Sequence, residues 1–244
     1  MKPNIDISKY KIDDKDTYGY VSSSDNNAIS LEQVAKEFNT SFVPIDINHP
    51  SHKEELSNMF PLWLYKTANN CDSELFHSMC RYDPKNKTSV VACFRNNLLE
   101  FECISFKRRR FYGKKWMTRK GTHPNGTPFV RIYSDNGTIY VVEGHHDMLV
   151  AVLLGLDFIM LPNAGFKDAT LIKNEVSGRD IVFIVEDRPA FLCMSKLALA
   201  IKEVASSVVL KQLAQGQKFD LSDYVMTKNS IEEVHNELKN RQSN

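Results

Sequence analysis

The sequence predicts an α/β fold, with a parallel sheet flanked by helices over residues 137–228, a strand-rich basic segment before it and a helical region at the N-terminus. Three observations predict it. After residue 137, apolar runs rich in β-branched residues alternate with helical patterns: TIYVVE, HDMLVAVLL, DFIML, DATLIKNEV, DIVFIVE, AFLCMSKLALAIKEVA and SVVL. Parallel neighbours need crossover connections, so this order calls for a parallel sheet covered by helices. The strands lack clean polar alternation, as strands buried on both faces do. Upstream, SVVACF, LLEFECISF and PFVRIYS are β-branched and aromatic and are separated by turn formers, so they read as strands.

In chain order, residues 1 to about 25 are polar and read as an irregular arm. Ser30 opens SLEQVAKEF as an N-cap with a capping-box partner, followed by Val34, Ala35 and Phe38 at helical spacing. MFPLWLY (59–65) and ELFHSMC (74–80) predict two more helices, with Pro61 near a first turn. Together these make residues 1–85 a helical N-terminal region. Residues 86–136 form the basic strand-rich subdomain, whose turns are marked by Asn96-Asn97, Asn125-Gly126 and Asn136-Gly137. Asn-Gly is a strong signal for a tight hairpin. Residues 229–244 form a C-terminal helix in which Ile231, Val234 and Leu238 share a face. That face caps the domain or docks on a partner such as a helicase.

The composition excludes several classes. With 244 residues and 42% hydrophobic content the chain can bury a substantial core, which argues against disorder. No apolar run approaches the roughly 20 residues of a membrane-spanning helix, and MKPNIDISKYKIDDKD lacks a signal-peptide core. The expectation is a cytoplasmic protein with no membrane partner. Cys71, Cys80, Cys93, Cys103 and Cys193 contain no CxxC pair and read as reduced thiols. Cys71, His77 and Cys80 lie close in sequence but lack a fourth zinc ligand.

The net charge of +1 conceals segregation. Between Glu102 and Asp135 there is no acidic residue, whereas Lys107, Arg108, Arg109, Arg110, Lys114, Lys115, Arg119, Lys120 and Arg131 all occur. Cations neutralise phosphates, and the interleaved Phe111, Tyr112 and Trp116 can stack on bases. This stretch therefore predicts a groove for single-stranded DNA or a hybrid.

Acids gather where strands end. The first parallel strand ends in Glu143-Gly144 with Asp147 one helical turn on, the third in Glu186-Asp187-Arg188-Pro189-Ala190, and Asp220 and Asp223 follow the last. Ligands of such sheets collect beyond the carboxyl ends of the strands. Carboxylates converging there repel unless a cation sits among them, and magnesium, or manganese, suits oxygen ligands. The adjacent His145 and His146 point to different sides of a helix and so do not share one ion.

VVEGHHDMLVAVLLGLDFIMLPNAG resembles the first motif of the Toprim family, with its EGxxD spacing and glycine-containing loop after the next strand. FIVEDRPA resembles the second motif, ordinarily Asp-x-Asp and a small pair, and FDLSDYV resembles the acidic stretch that follows in primases. KKWMTRKG is similar, more weakly, to the lysine-containing segment that precedes Toprim in bacterial and phage primase cores, while their zinc-binding module is missing here. The resemblance implies a Toprim-like sheet and a primase-like nucleotidyltransferase that makes short RNA primers on single-stranded DNA from nucleotides with magnesium. It implies acid/base work for Glu143, catalytic roles for Glu186 and Asp187, and metal ligation by Glu143, Glu186, Asp220 and Asp223. Arg188 stands at the family's second aspartate position. A guanidinium cannot ligate a metal and would itself bind phosphate, so the alternatives are a catalytically weakened Toprim protein that binds single strands or a replication partner, and a Toprim nuclease.

Overall fold

The computed structural model describes residues 29–67, 73–95, 102–109, 116–119, 122, 128–214 and 219–240. The N-terminal arm, Arg110, Phe111, Tyr112, Lys114, Lys115, Lys120, Cys71 and the turns at Asn96-Asn97 and Asn125-Gly126 lie outside them. The chain is mixed α/β, built on two five-stranded sheets.

The first sheet is antiparallel. Helix α1 (Leu31–Ser41) starts at the capping box read from the sequence: Ser30 Oγ accepts the Gln33 N–H, and Gln33 Oε1 accepts the Ser30 N–H. Strand β1 (Val43–Pro44) leads into α2 (Pro50–Ser57), α3 (Leu62–Thr67) and α4 (Ser73–Met79). Strands β2 (Cys80–Asp83), β3 (Thr88–Arg95), β4 (Glu102–Arg109) and β5 (Trp116–Thr118) then complete the order β1-β2-β3-β4-β5. The boundary drawn at 85/86 falls inside this sheet: β1 and β2 come from the region read as purely helical, so residues on both sides of it build one layer.

The second sheet follows the predicted alternation. Strand β6 (Phe129–Arg131) precedes β7 (Ile139–Glu143), α5 (Gly144–Leu154), β8 (Asp157–Leu161), α6 (Lys173–Val176), β9 (Asp180–Val185), α7 (Arg188–Ile201) and β10 (Ser207–Gln212), with α8 (Leu221–Val225) and α9 (Ile231–Asn240) after it. The order is β10-β9-β7-β8-β6, with β7, β8, β9 and β10 parallel and β6 antiparallel to β8. Two expectations are corrected. DATLIKNEV is a 3₁₀ turn at Ala169–Leu171 followed by the four-residue α6, rather than one helix. The Asn136-Gly137 turn does not close a hairpin, because β8 lies between β6 and β7.

Gly137 has a different reason to be glycine: a Cβ there would stand 2.7 Å from the Asp157 carboxylate. Asp157 accepts the N–H groups of Tyr133 and Ser134 and pairs with Arg179 at 2.9 Å, and Arg179 also donates to the carbonyls of Gly137 and Asp135. This clamp sits at the amino ends of β8 and β9, away from the carboxyl rim.

One apolar core runs from Val34 and Phe38 through Phe60, Phe76 and α5 to Val234 and Leu238. A second fills the far side of the parallel sheet, under α7. Helix α5 is apolar almost all round, with Met148 to Leu154 buried, because it is packed between the parallel sheet and helices α3, α4 and α8. Val234 and Leu238 face inward, as the capping reading of α9 expects. Among the described residues no helix is long and apolar enough to cross a membrane.

Candidate functional site

Strands β7 and β9 are parallel neighbours, in register from Ile139↔Ile181 to Val141↔Phe183, so Glu143 and Glu186 leave the sheet at the same rim. The segment before α8 returns to this rim, where the Phe219 N–H donates to the Glu186 carbonyl at 3.0 Å. Asp220 then caps α8, its Oδ1 accepting the Asp223 N–H at 2.7 Å and the Ser222 hydroxyl at 2.6 Å. The ends of β7 and β9 and the segment before α8 therefore lie at one rim of the sheet.

Asp147 ties them together. It is buried, and its carboxylate accepts the N–H groups of Leu221 and Ser222 at 3.2 and 2.9 Å, joining α5 to α8 across 75 residues of sequence. Burial, then the neighbouring Asp220, then Glu186 push its carboxyl well above the usual carboxylate range. Asp147 carries more of the site than its first-turn position suggested. The signal in the sequence was its spacing from Glu143.

A cavity of about 200 Å³ opens at this rim. Glu143, Gly144, His145, His146, Asp147 and Asp220 form its wall on the parallel-sheet side, and Lys107 and Trp116 form it on the antiparallel side. Gly144 adopts φ +80°, a left-handed conformation that lets the chain turn sharply from strand to helix. His145 is buried, and burial, followed by the nearby Lys107, pushes its imidazole down to about 3. His146 lies beside the Trp116 ring, centroids 6.3 Å apart, and its Nε2–H donates to the Met59 carbonyl at 2.8 Å.

Glu186, Asp187, Arg188 and Asp223 are not in the cavity wall. Asp187 is the N-cap of α7, its carboxylate accepting the Ala190 N–H at 2.8 Å, and Arg188 is exposed in the first turn of that helix. Among the described residues, no three His, Cys, Asp or Glu side chains are grouped to hold a metal ion.

The basic stretch divides by strand alternation. Arg108 lies on the face covered by α1, paired with Asp83 at 2.8 Å and stacked over Phe42. Arg109 points the other way and is buried, its guanidinium bonded to both Glu55 oxygens. Arg119 pairs with Glu37 at 3.0 Å. Among the described residues Lys107 has no such carboxylate partner, and it faces the cavity instead. A single continuous cationic groove is thus not what residues 107–109 make: one cation points to the acidic rim, and two are matched within the fold.

No family model, no curated protein and no solved structure matches this chain.

Proposed function

We propose that the chain is a primase-like nucleotidyltransferase with a Toprim-like sheet, making short RNA on single-stranded DNA with magnesium or manganese. One observation carries the reading: Lys107 and Trp116 share a single cavity with the carboxylates of Glu143, Asp147 and Asp220, at the carboxyl rim of a parallel sheet. The parallel order β10-β9-β7-β8 and the acids at its rim support the Toprim assignment.

The carboxylates suit a hard cation. Asp147 is spoken for by two backbone N–H groups; Glu143 and Asp220, whose Oδ1 also caps α8, stand in the wall as carboxylates that a cation could meet. Magnesium is commonly held by one or two carboxylates while water and substrate phosphates complete its shell. When bound, the ion offsets phosphate charge in an in-line displacement. The chain's own groups do the rest. Trp116 offers its ring to a base, Lys107 holds phosphate as a point charge, and Glu143 accepts the proton of the attacking hydroxyl as that oxygen bonds the α-phosphorus of the nucleotide and pyrophosphate leaves. Burial favours the uncharged forms of Asp147 and His145 at the floor of the site.

Incubation with single-stranded DNA, the four ribonucleotides and magnesium or manganese is expected to give short RNA products, absent with Glu143→Gln. Silence of the wild type across varied templates would refute synthesis. A second reading is favoured by Asp187 acting as a helix cap and by the exposed Arg188 at the second acidic position: a weakened enzyme that binds single strands or a replication protein. It expects salt-sensitive, magnesium-independent binding and gain of activity in Arg188→Asp. Cleavage of the labelled template in the same assay would identify a nuclease.

A further inference from the structure

Sheet edges expose unpaired backbone groups, and proteins protect them by shortness, proline, bulges or outward charge. The two sheets have four edge strands among the described residues. Three are protected by shortness: β1 has two residues, one of them Pro44, while β5 and β6 have three each. The fourth, β10, is six residues long, pairs in unbroken register with β9 and with no second strand among the described residues, and reads SVVLKQ.

It carries no proline and no bulge. Its one charge is turned inward, for Lys211 is 6% exposed and donates to the carbonyls of Glu237 and Leu238 at the end of α9. Val208, Val209 and Leu210 remain only half-buried.

We propose that β10 is the interface of a homodimer in which two copies pair antiparallel, joining two parallel sheets edge to edge. The occupant is a second copy because the edge is uncharged and apolar, so it meets itself without repulsion, and a two-fold axis matches every donor to an acceptor. Such an axis stands perpendicular to the sheet and keeps each face continuous, so the two α7 helices, which lie over β10, come side by side. Helix α7 presents Leu199, 57% exposed, the most exposed large apolar side chain among the described residues. A strand pair alone falls short of the ~1,200 Å² of a stable interface, and the helices supply the remainder.

Sedimentation velocity of the full chain over a wide concentration range, with hydrogen exchange of 207–212, tests this. The mass is expected to approach twice the 28.0 kDa of one chain, with amide protection in β10 rising in step. Val209→Lys, checked for folding by circular dichroism, is expected to be monomeric, and Leu199→Glu, a change on an exposed helix face, is expected to weaken the dimer at least tenfold. A monomer at every concentration overturns the proposal. So does a dimer that both variants leave intact, or β10 protection independent of concentration, which would mean that another part of the same chain covers this edge.

Discussion

Replacing Arg109 by methionine separates a structural cation from a nucleic-acid contact. The Glu55 carboxylate accepts the Arg109 Nε–H at 2.6 Å, the Nη2–H at 2.5 Å and the Ser89 N–H at 2.8 Å, and the two side chains are 9% and 6% exposed. In Arg109→Met the carboxylate stays buried with one neutral donor in place of three. Removing one partner of a buried pair costs about 3–5 kcal/mol. Replacing both, as in Glu55→Leu with Arg109→Met, abolishes the unpaired charge and leaves the Ser89 N–H without this acceptor, about 1–3 kcal/mol. The double variant is therefore expected to be more stable than the single one despite carrying an extra change. Urea denaturation followed by circular dichroism measures this, with the slope checked for constancy. A single variant destabilised by less than about 1 kcal/mol, or one that lost DNA affinity at unchanged stability, would mean that Arg109 does not serve the fold through Glu55.

Other outcomes follow from the same geometry. His145 is held neutral down to about 3, against 6.5 in the unfolded chain, so its contribution is full above the unfolded value and is lost as pH falls toward the folded one. Going from about pH 7 to about pH 5 is expected to cost about 2 kcal/mol. Asp147, raised in the fold, acts in the opposite sense, so the readout is the difference in pH slope between the wild type and His145→Gln; equal slopes would contradict the burial of the imidazole. Gly144→Ala forces a side chain to φ +80° and is expected to lower stability by about 1–2 kcal/mol in thermal unfolding. Burial pushes the thiols of Cys93 and Cys103 up to about 12 and about 11 and that of Cys80 higher still, so a thiol reagent on the native protein is expected to modify Cys193 well before these three, as peptide mapping would read.

The parallel half of the fold was legible because its strands are nearly pure apolar runs separated by helical patterns, and each acid sits where such a run stops. The other half was legible only in pieces. Helix α2 begins at Pro50 after His49, which makes no side-chain cap bond, and its inward residues His52 and Glu55 are polar, so no apolar stripe announces it. Without α2, Glu55 was invisible as the partner of Arg109, and three consecutive arginines read as one surface. The alternation of β4 already implied that Arg108 and Arg109 face opposite ways; the sequence could have told that much. The Asp157–Arg179 clamp joins residues with no local pattern and needed the three-dimensional register. At the rim, spacing could not tell that Asp187 is a helix cap, since a capping acid and a ligating acid look alike in one dimension.

Helix α9 fastens the molecule to parts made long before it. The Lys211 ammonium ends on its carbonyls, His235 bonds the Leu154 carbonyl, Tyr224 and Lys228 both bond Glu237, and Lys228 accepts the Trp63 indole N–H. Translation delivers Leu154 and Lys211 first, so these groups stay solvated until residues 231–240 leave the ribosome. The nascent chain thus has a window in which its central helix is open on one side, and a stall or a cut just before Ile231 would hand an unfinished core to chaperones and proteases.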